Sequence, residues 1–153
     1  IDWARVRQQI GLVLEDVHGC KALFAGGTCD WPEVFQLSVD MIITNIAENS
    51  TALTAAAPAL GTFFEREGAL GLGVVPADEE AVMQATAARL ADQVGAFAAQ
   101  LGAAGFAADQ LLRRCIITSA GTISRLSVAG AERAIQLMNE TSMLVRTQYA
   151  LAE

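Results

Sequence analysis

Seven side chains in this sequence have the type and setting to contact a ligand: Cys29, Asp30, Asn45, Glu48, Asp78, Ser119 and Thr122. Each follows a short apolar run that reads as a strand. Such loops are where parallel β/α folds bind small molecules. The three carboxylates, the amide and the two hydroxyls would serve as polar contacts. Cys29 sits just before a predicted helix, where a thiolate is favoured, although no base is evident beside it. The same loops have a structural use, because Asp30, Ser50 and Asp78 stand where they would cap helices.

Two loops could hold a phosphate on backbone N–H groups at a helix start, Gly26-Gly27-Thr28 and Ser119-Ala120-Gly121-Thr122. Neither matches a P-loop or dinucleotide fingerprint, and Asp30 would oppose an anion. His18 is the sole histidine. It falls in a helix-to-strand turn, at the opposite end of the strands from these loops. Cys20 and Cys115 fall at strand starts and read as buried small apolar residues.

Elements must position these groups, and the hydrophobic pattern supplies them. A helix is predicted over 2–17, with Trp3, Val6, Ile10, Val13, Leu14 and Val17 on one stripe. A strand at 22–25 ends at Gly26-Gly27. Asp30 and Glu33 have capping-box spacing ahead of a helix at 31–38, with Pro32 in its first turn. The second strand, 39–46, is apolar on both faces at Met41-Ile42-Ile43, as in helix-covered parallel sheets. A helix at 51–67, bent at Pro58, stops at Gly68. The third strand is 69–75, broken by Pro76. Asp78 caps a long Ala-rich helix ending near Gly102 or Gly105, and a short helix covers 108–114. The fourth strand is 115–118. The last helix spans 127–152, with Val128, Ala131, Ile135, Met138, Ser142 and Val145 on one stripe.

Strands thus alternate with helices four times. This order predicts an α/β fold, a parallel sheet with right-handed crossovers, resembling half of a (β/α)8 barrel. The 153 residues fit one domain spanning 1–153. A complete barrel needs about 250. The chain therefore reads as part of a larger barrel or as a subunit that pairs with another half.

Composition narrows the partners. A net charge of −7 disfavours nucleic acid and anionic membranes. No apolar run is long enough to span a bilayer. Three cysteines without CxxC spacing argue against a disulfide framework and suggest a reducing cytoplasm.

The segments also carry a family resemblance. Gly26-Gly27 before Asp30-Trp31-Pro32, Val39-Asp40-Met41-Ile42-Ile43, Leu72-Gly73-Val74-Val75-Pro76 and Ile117 to Ile123 before a final helix are similar to the second half of the catalytic barrel of cobalamin-independent methionine synthase and its short relatives. The wider superfamily includes uroporphyrinogen decarboxylase and corrinoid-linked methyltransferases. The resemblance implies methyl transfer to the thiol of homocysteine, which a zinc ion activates, from a methylfolate. The family's zinc ligands are a His-x-Cys pair, a Glu and a final Cys. Aligned without gaps on Asp30-Trp31-Pro32, those positions read Leu23, Ala25, Asn45 and Gly121. The other register uses His18 and Cys20 but needs inserted residues and sets the pair ahead of the strand. The gap-free register implies that the zinc site is lost.

Three functions follow as expectations. One is a divergent, zinc-free methyltransferase-like protein, acting in methionine biosynthesis or binding a small molecule at the strand ends. Another is a non-catalytic half-barrel that pairs with another half, as a homo-oligomer or with a separate chain. The third is a tetrapyrrole or corrinoid enzyme of the same superfamily.

Overall fold

The structure, a computed structural model, describes residues 1–151. Helix α1 (Trp3–Leu14) starts where the Asp2 carboxylate accepts from the Arg5 amide at 3.1 Å. Strand β1 (Ala22–Phe24) is followed by a short α2 (Trp31–Val34). Then come β2 (Met41–Asn45), α3 (Ile46–Ala55), α4 (Ala57–Glu65) and β3 (Ala69–Val75). The chain continues through α5 (Glu79–Gln84), α6 (Ala87–Ala103), α7 (Ala108–Arg113) and β4 (Cys115–Ser119). A 3-10 turn at Ile123–Arg125 leads into α8 (Val128–Gln148).

The four strands form one parallel sheet in the order β1-β2-β3-β4. The fold is α/β, with the alternation of strand and helix expected of half a β/α barrel. Among the described residues, no helix is long and apolar enough to cross a membrane.

Strand register separates two faces, since side chains alternate along a strand. One face holds the row Leu23, Ile42, Leu70, Cys115 and the row Thr44, Leu72, Ile117. Ile42, Thr44, Leu70 and Leu72 have no exposed surface. Helices cover this face: α3 packs on β2 and β3, α6 on β3, α7 on β4, and α8 on β3 and β4. The opposite face holds the row Phe24, Ile43, Gly71, Ile116. There Phe24 is 53% exposed and Ile116 46%. This would be the inner face of a closed barrel; among the described residues its outer positions, Phe24 and Ile116, are exposed, while Gly71 between them is buried.

Several sequence expectations are corrected. The helix expected at 51–67 starts at Ile46 and restarts after Ala56. Pro58 has no N–H for the helical ladder and is accommodated in the first turn of α4. Ser50 therefore lies inside α3, and Asn45 is the cap instead. The long Ala-rich helix is also two, because Ala85 and Thr86 are extended and Thr86 caps α6. Glu67, not Gly68, takes the left-handed conformation after α4, with φ 66°. The capping box at Asp30 does not form: Asp30 makes no cap hydrogen bond, and Glu33 pairs with Arg7 of α1.

The stripes of the two terminal helices also differ. In α1 no residue is fully buried and Val13 is exposed; Val17, expected on the same helix, lies beyond its end and is exposed. In α8 the buried line is Gly130, Ala134, Leu137, Thr141 and Val145, leaving Val128 and Ile135 exposed. The expected stripe is therefore rotated around the helix from the one that packs on α6 and β4. Ala152, assigned to this helix from sequence, lies outside the described residues.

Candidate functional site

The loops after the four strands gather at one end of the sheet, and the side chains expected to meet a ligand are mostly engaged in holding those loops. Asn45 ends β2, and its Oδ1 accepts from the Ala47 amide at 3.0 Å to cap α3. Asp78 does the same for α5, accepting from Ala81 at 3.0 Å. The Ser119 hydroxyl donates to the Gly121 carbonyl at 2.7 Å, closing the loop after β4 on itself. Thr122 caps the 3-10 turn by accepting from the Ser124 amide. The Cys29 thiol donates to the Gly26 carbonyl at 3.2 Å across the loop after β1. Asp30 and Glu48 remain exposed. Glu48 lies in the first turn of α3, where a carboxylate complements the helix dipole.

One buried polar pair sits just behind this end. Asn49, on α3, donates to Thr44 Oγ1 at 3.2 Å and to the Asn45 carbonyl at 3.0 Å. Both Thr44 and Asn49 are buried. The pair ties the exit of β2 to its following helix from the helix-covered face.

A two-bond link between the segments after β3 and β4 involves a residue outside the seven expected ligand contacts. Glu79, the first residue of α5, accepts from the Ser127 amide at 2.9 Å and from the Ser127 hydroxyl at 2.6 Å. Ser127 in turn accepts from the Gly130 amide at 3.0 Å and caps α8. A Cβ on Gly130 would lie 2.6 Å from Glu79 Oε2, so glycine is what lets the carboxylate approach. Arg133 adds a hydrogen bond to the Ala85 carbonyl at 3.1 Å. The segments after β3 and β4 are thereby fastened together. No local pattern marks Glu79, because its partner is 48 residues away.

The hydrogen bonds from Ser127 hold the Glu79 carboxyl below the usual glutamate range. A group whose folded pKa is depressed stabilises the fold above its unfolded pKa and loses that contribution as pH falls through the folded value. The expected result is a stabilising contribution present at neutral pH and lost in acid, below about pH 4.3. Glu79→Gln should lower stability at pH 7 and flatten that acid dependence, measured by urea unfolding from pH 7 downward. An unchanged acid slope would assign no such role to the carboxylate.

The remaining sulfur and imidazole groups are dispersed. His18 lies in the turn ahead of β1, beside Lys21 and Asp40 at the amino ends of the strands. Cys20 is exposed, which corrects the buried reading. It lies ahead of β1, outside the sheet that would have covered it. Cys115 donates to the Leu111 carbonyl at 3.3 Å, and burial pushes its thiol up to about 12. In a thiol-labelling time course at pH 8, Cys20 is expected to react first and Cys115 last. Prompt reaction of Cys115 in the folded chain would contradict this placement.

These donors do not fit a zinc site. Leu23 and Ala25 offer no ligand atom, Asn45 is engaged as a cap, and Gly121 has no side chain. Among the described residues, no three His, Cys, Asp or Glu side chains come together to hold a metal. The alternative pair, His18 and Cys20, stands at the wrong end of the sheet.

No family model, no curated protein and no solved structure matches this chain.

Proposed function

We propose that this chain is a non-catalytic half of a (β/α)8 barrel, a structural or partner subunit whose partly exposed sheet face is covered by another half. The observation that carries this reading is the row Phe24, Ile43, Gly71, Ile116 on the sheet face opposite the buried Ile42–Leu70 row, with Phe24 and Ile116 exposed. An exposed apolar sheet face marks an interaction surface. Among the described residues the outer edges of β1 and β4 have no strand neighbour, and unpaired edges recruit further strands. At the strand ends, five of the seven expected ligand contacts already bond within their own loops. That favours a scaffold over the two rivals, a methyltransferase-like enzyme and a tetrapyrrole or corrinoid enzyme.

The test is uptake of an apolar fluorescent dye by the purified chain. Strong uptake is expected, together with its loss in the double variant Phe24→Ser, Ile116→Ser. Because both side chains are about half exposed, the double variant should change folding stability by only about 0.5 kcal/mol per site. A chain that takes up no dye would end the half-barrel reading.

A further inference from the structure

Helix α8 carries an apolar line that the fold does not use. Its inward side is Gly130, Ala134, Leu137, Thr141 and Val145. A second line, Val128, Ala131, Ile135, Met138 and Ser142, advances by alternating steps of three and four residues, the spacing of a coiled-coil seam. Val128 is 78% exposed and Ile135 50%, and Met143 beside the line is 69% exposed. Ala131, Met138 and Ser142 are half-buried. Near its C-terminal end the seam borders a cavity of about 310 Å³, whose walls include Ser142, Val145 and Arg146 of α8 and Cys115 and Ile117 of β4.

Charge indicates what covers this seam. Three exposed residues flank it at seven-residue spacing, Glu132, Asn139 and Arg146. The other charged residues of α8, Arg133 and Glu140, already pair within the helix. The Glu132 side chain makes no hydrogen bond or ion pair among the described residues. A two-fold axis at Asn139 would set each residue before 139 opposite the one equally far after it. Glu132 would then face Arg146 of a second copy, and Arg146 would face Glu132 in return. Ile135 and Met143, both exposed, would exchange in the same way. A parallel, in-register pair would instead leave Glu132 level with Glu132.

We propose that α8 is the interface of a homodimer, an antiparallel α8–α8 pair with its two-fold axis at Asn139. The contact is isologous, as two-fold interfaces are. Two Glu132–Arg146 ion pairs flank it, and Ile135 and Met143 cover its apolar seam. The Arg146 guanidinium has five N–H donors, so it can bond this carboxylate beside another acceptor. The net charge of −7 on each copy opposes association, but the flank that meets its copy carries one acid and one base. This surface lies on the helix layer, so the inference goes beyond the half-barrel reading and does not rest on it.

Sedimentation over a concentration series tests it. The intact chain is expected to form a reversible two-chain species. Ile135→Lys, at an exposed position, should abolish that species without unfolding the chain, checked by circular dichroism. Glu132→Arg and Arg146→Glu should each weaken dimerisation by about tenfold, because two attractive contacts become repulsive. The two changes together should restore it. Within one chain the two positions lie about 21 Å apart along the helix, so the recovery can only come from pairing between copies. The double variant Phe24→Ser, Ile116→Ser should dimerise as the intact chain does. An intact chain with the mass of one chain at every concentration would overturn the proposal. So would a double charge reversal that fails to recover, or a dimer lost through Phe24 and Ile116 rather than Ile135. None of these results bears on dye uptake at the sheet face, so failure here is distinct from failure of the half-barrel reading.

Discussion

Phe63→Ala is expected to destabilise the protein by about 4 kcal/mol, the middle of the range for deleting a buried aromatic ring. Phe63 lies on α4 with no exposed surface. Its ring centroid is 5.5 Å from that of Phe35 and 6.3 Å from that of Phe64, and the Arg66 guanidinium sits 5.1 Å above it. Arg66 also donates to the carbonyls of Phe35 and Leu37, tying the residues after α2 to the end of α4. The ring also lies against Gly68, where a Cβ would come 2.5 Å from a ring carbon. One side chain therefore joins α2, α4 and the turn into β3. Against a typical total of about 5–15 kcal/mol, its loss should lower the urea midpoint steeply. Phe63→Leu, which leaves most of the volume filled, should cost much less. Similar midpoints for the two variants would mean that the ring itself is not the joint.

The aromatic chain around Phe63 shows what a linear pattern can carry. Its members were legible as apolar positions, but Gly68 was not read correctly. A glycine after a helix suggests a left-handed stop, yet Glu67 takes that conformation and Gly68 makes room for a ring. The strands were the most legible elements, because a run apolar on both faces has few alternatives to a covered parallel strand. The partly exposed face was not visible in the same runs. Met41, Ile43 and Ile116 read as core by composition, and only the register showed that two of them share a row with exposed Phe24.

The strand ends were located from sequence, but their chemistry was not. The positions of Asn45, Asp78, Ser119 and Thr122 follow from where the strands stop. Whether such a group meets a ligand or its own backbone depends on angles within two or three residues, and capping uses the same residue types. The Glu79–Ser127 link was hidden for a different reason. It depends on α5 and α8 lying side by side, and on Gly130 having no side chain between them. Arg7 with Glu33 is a parallel case, 26 residues apart. In both, a charged residue that reads as solvated surface or local cap is spent on a neighbour fixed by topology.

Gly73→Ala is expected to cost about 3 kcal/mol, the upper part of the range for overpacking, although it adds a single methyl group. A Cβ at position 73 would lie 2.7 Å from the Thr44 carbonyl oxygen, 2.9 Å from that of Ser119 and 3.0 Å from the Ala120 Cα. All three are main-chain atoms. Thr44 belongs to β2, and Ser119 and Ala120 to the exit of β4, so the methyl group would wedge between both neighbours of β3. Relief requires the strands to separate where the register already shifts between Gly73 and Val75 and where the Ala120 amide donates to the Val75 carbonyl at 2.7 Å. Gly71→Ala is the informative comparison. Its Cβ would come 2.7 Å from Ile43 Cγ1 and 3.1 Å from Ile43 Cβ and Cγ2, one side chain rather than the main chain of two strands, and about 1–2 kcal/mol is expected. Urea midpoints should separate the two variants clearly. In Gly73→Ala the Ala120 amide should also exchange faster, because its hydrogen bond to Val75 spans the wedge. Equal costs at the two positions would mean that the sheet yields at its carboxyl end as readily as the Ile43 side chain does. The loops after β2 and β4 would then not be held at the spacing that this close backbone approach imposes.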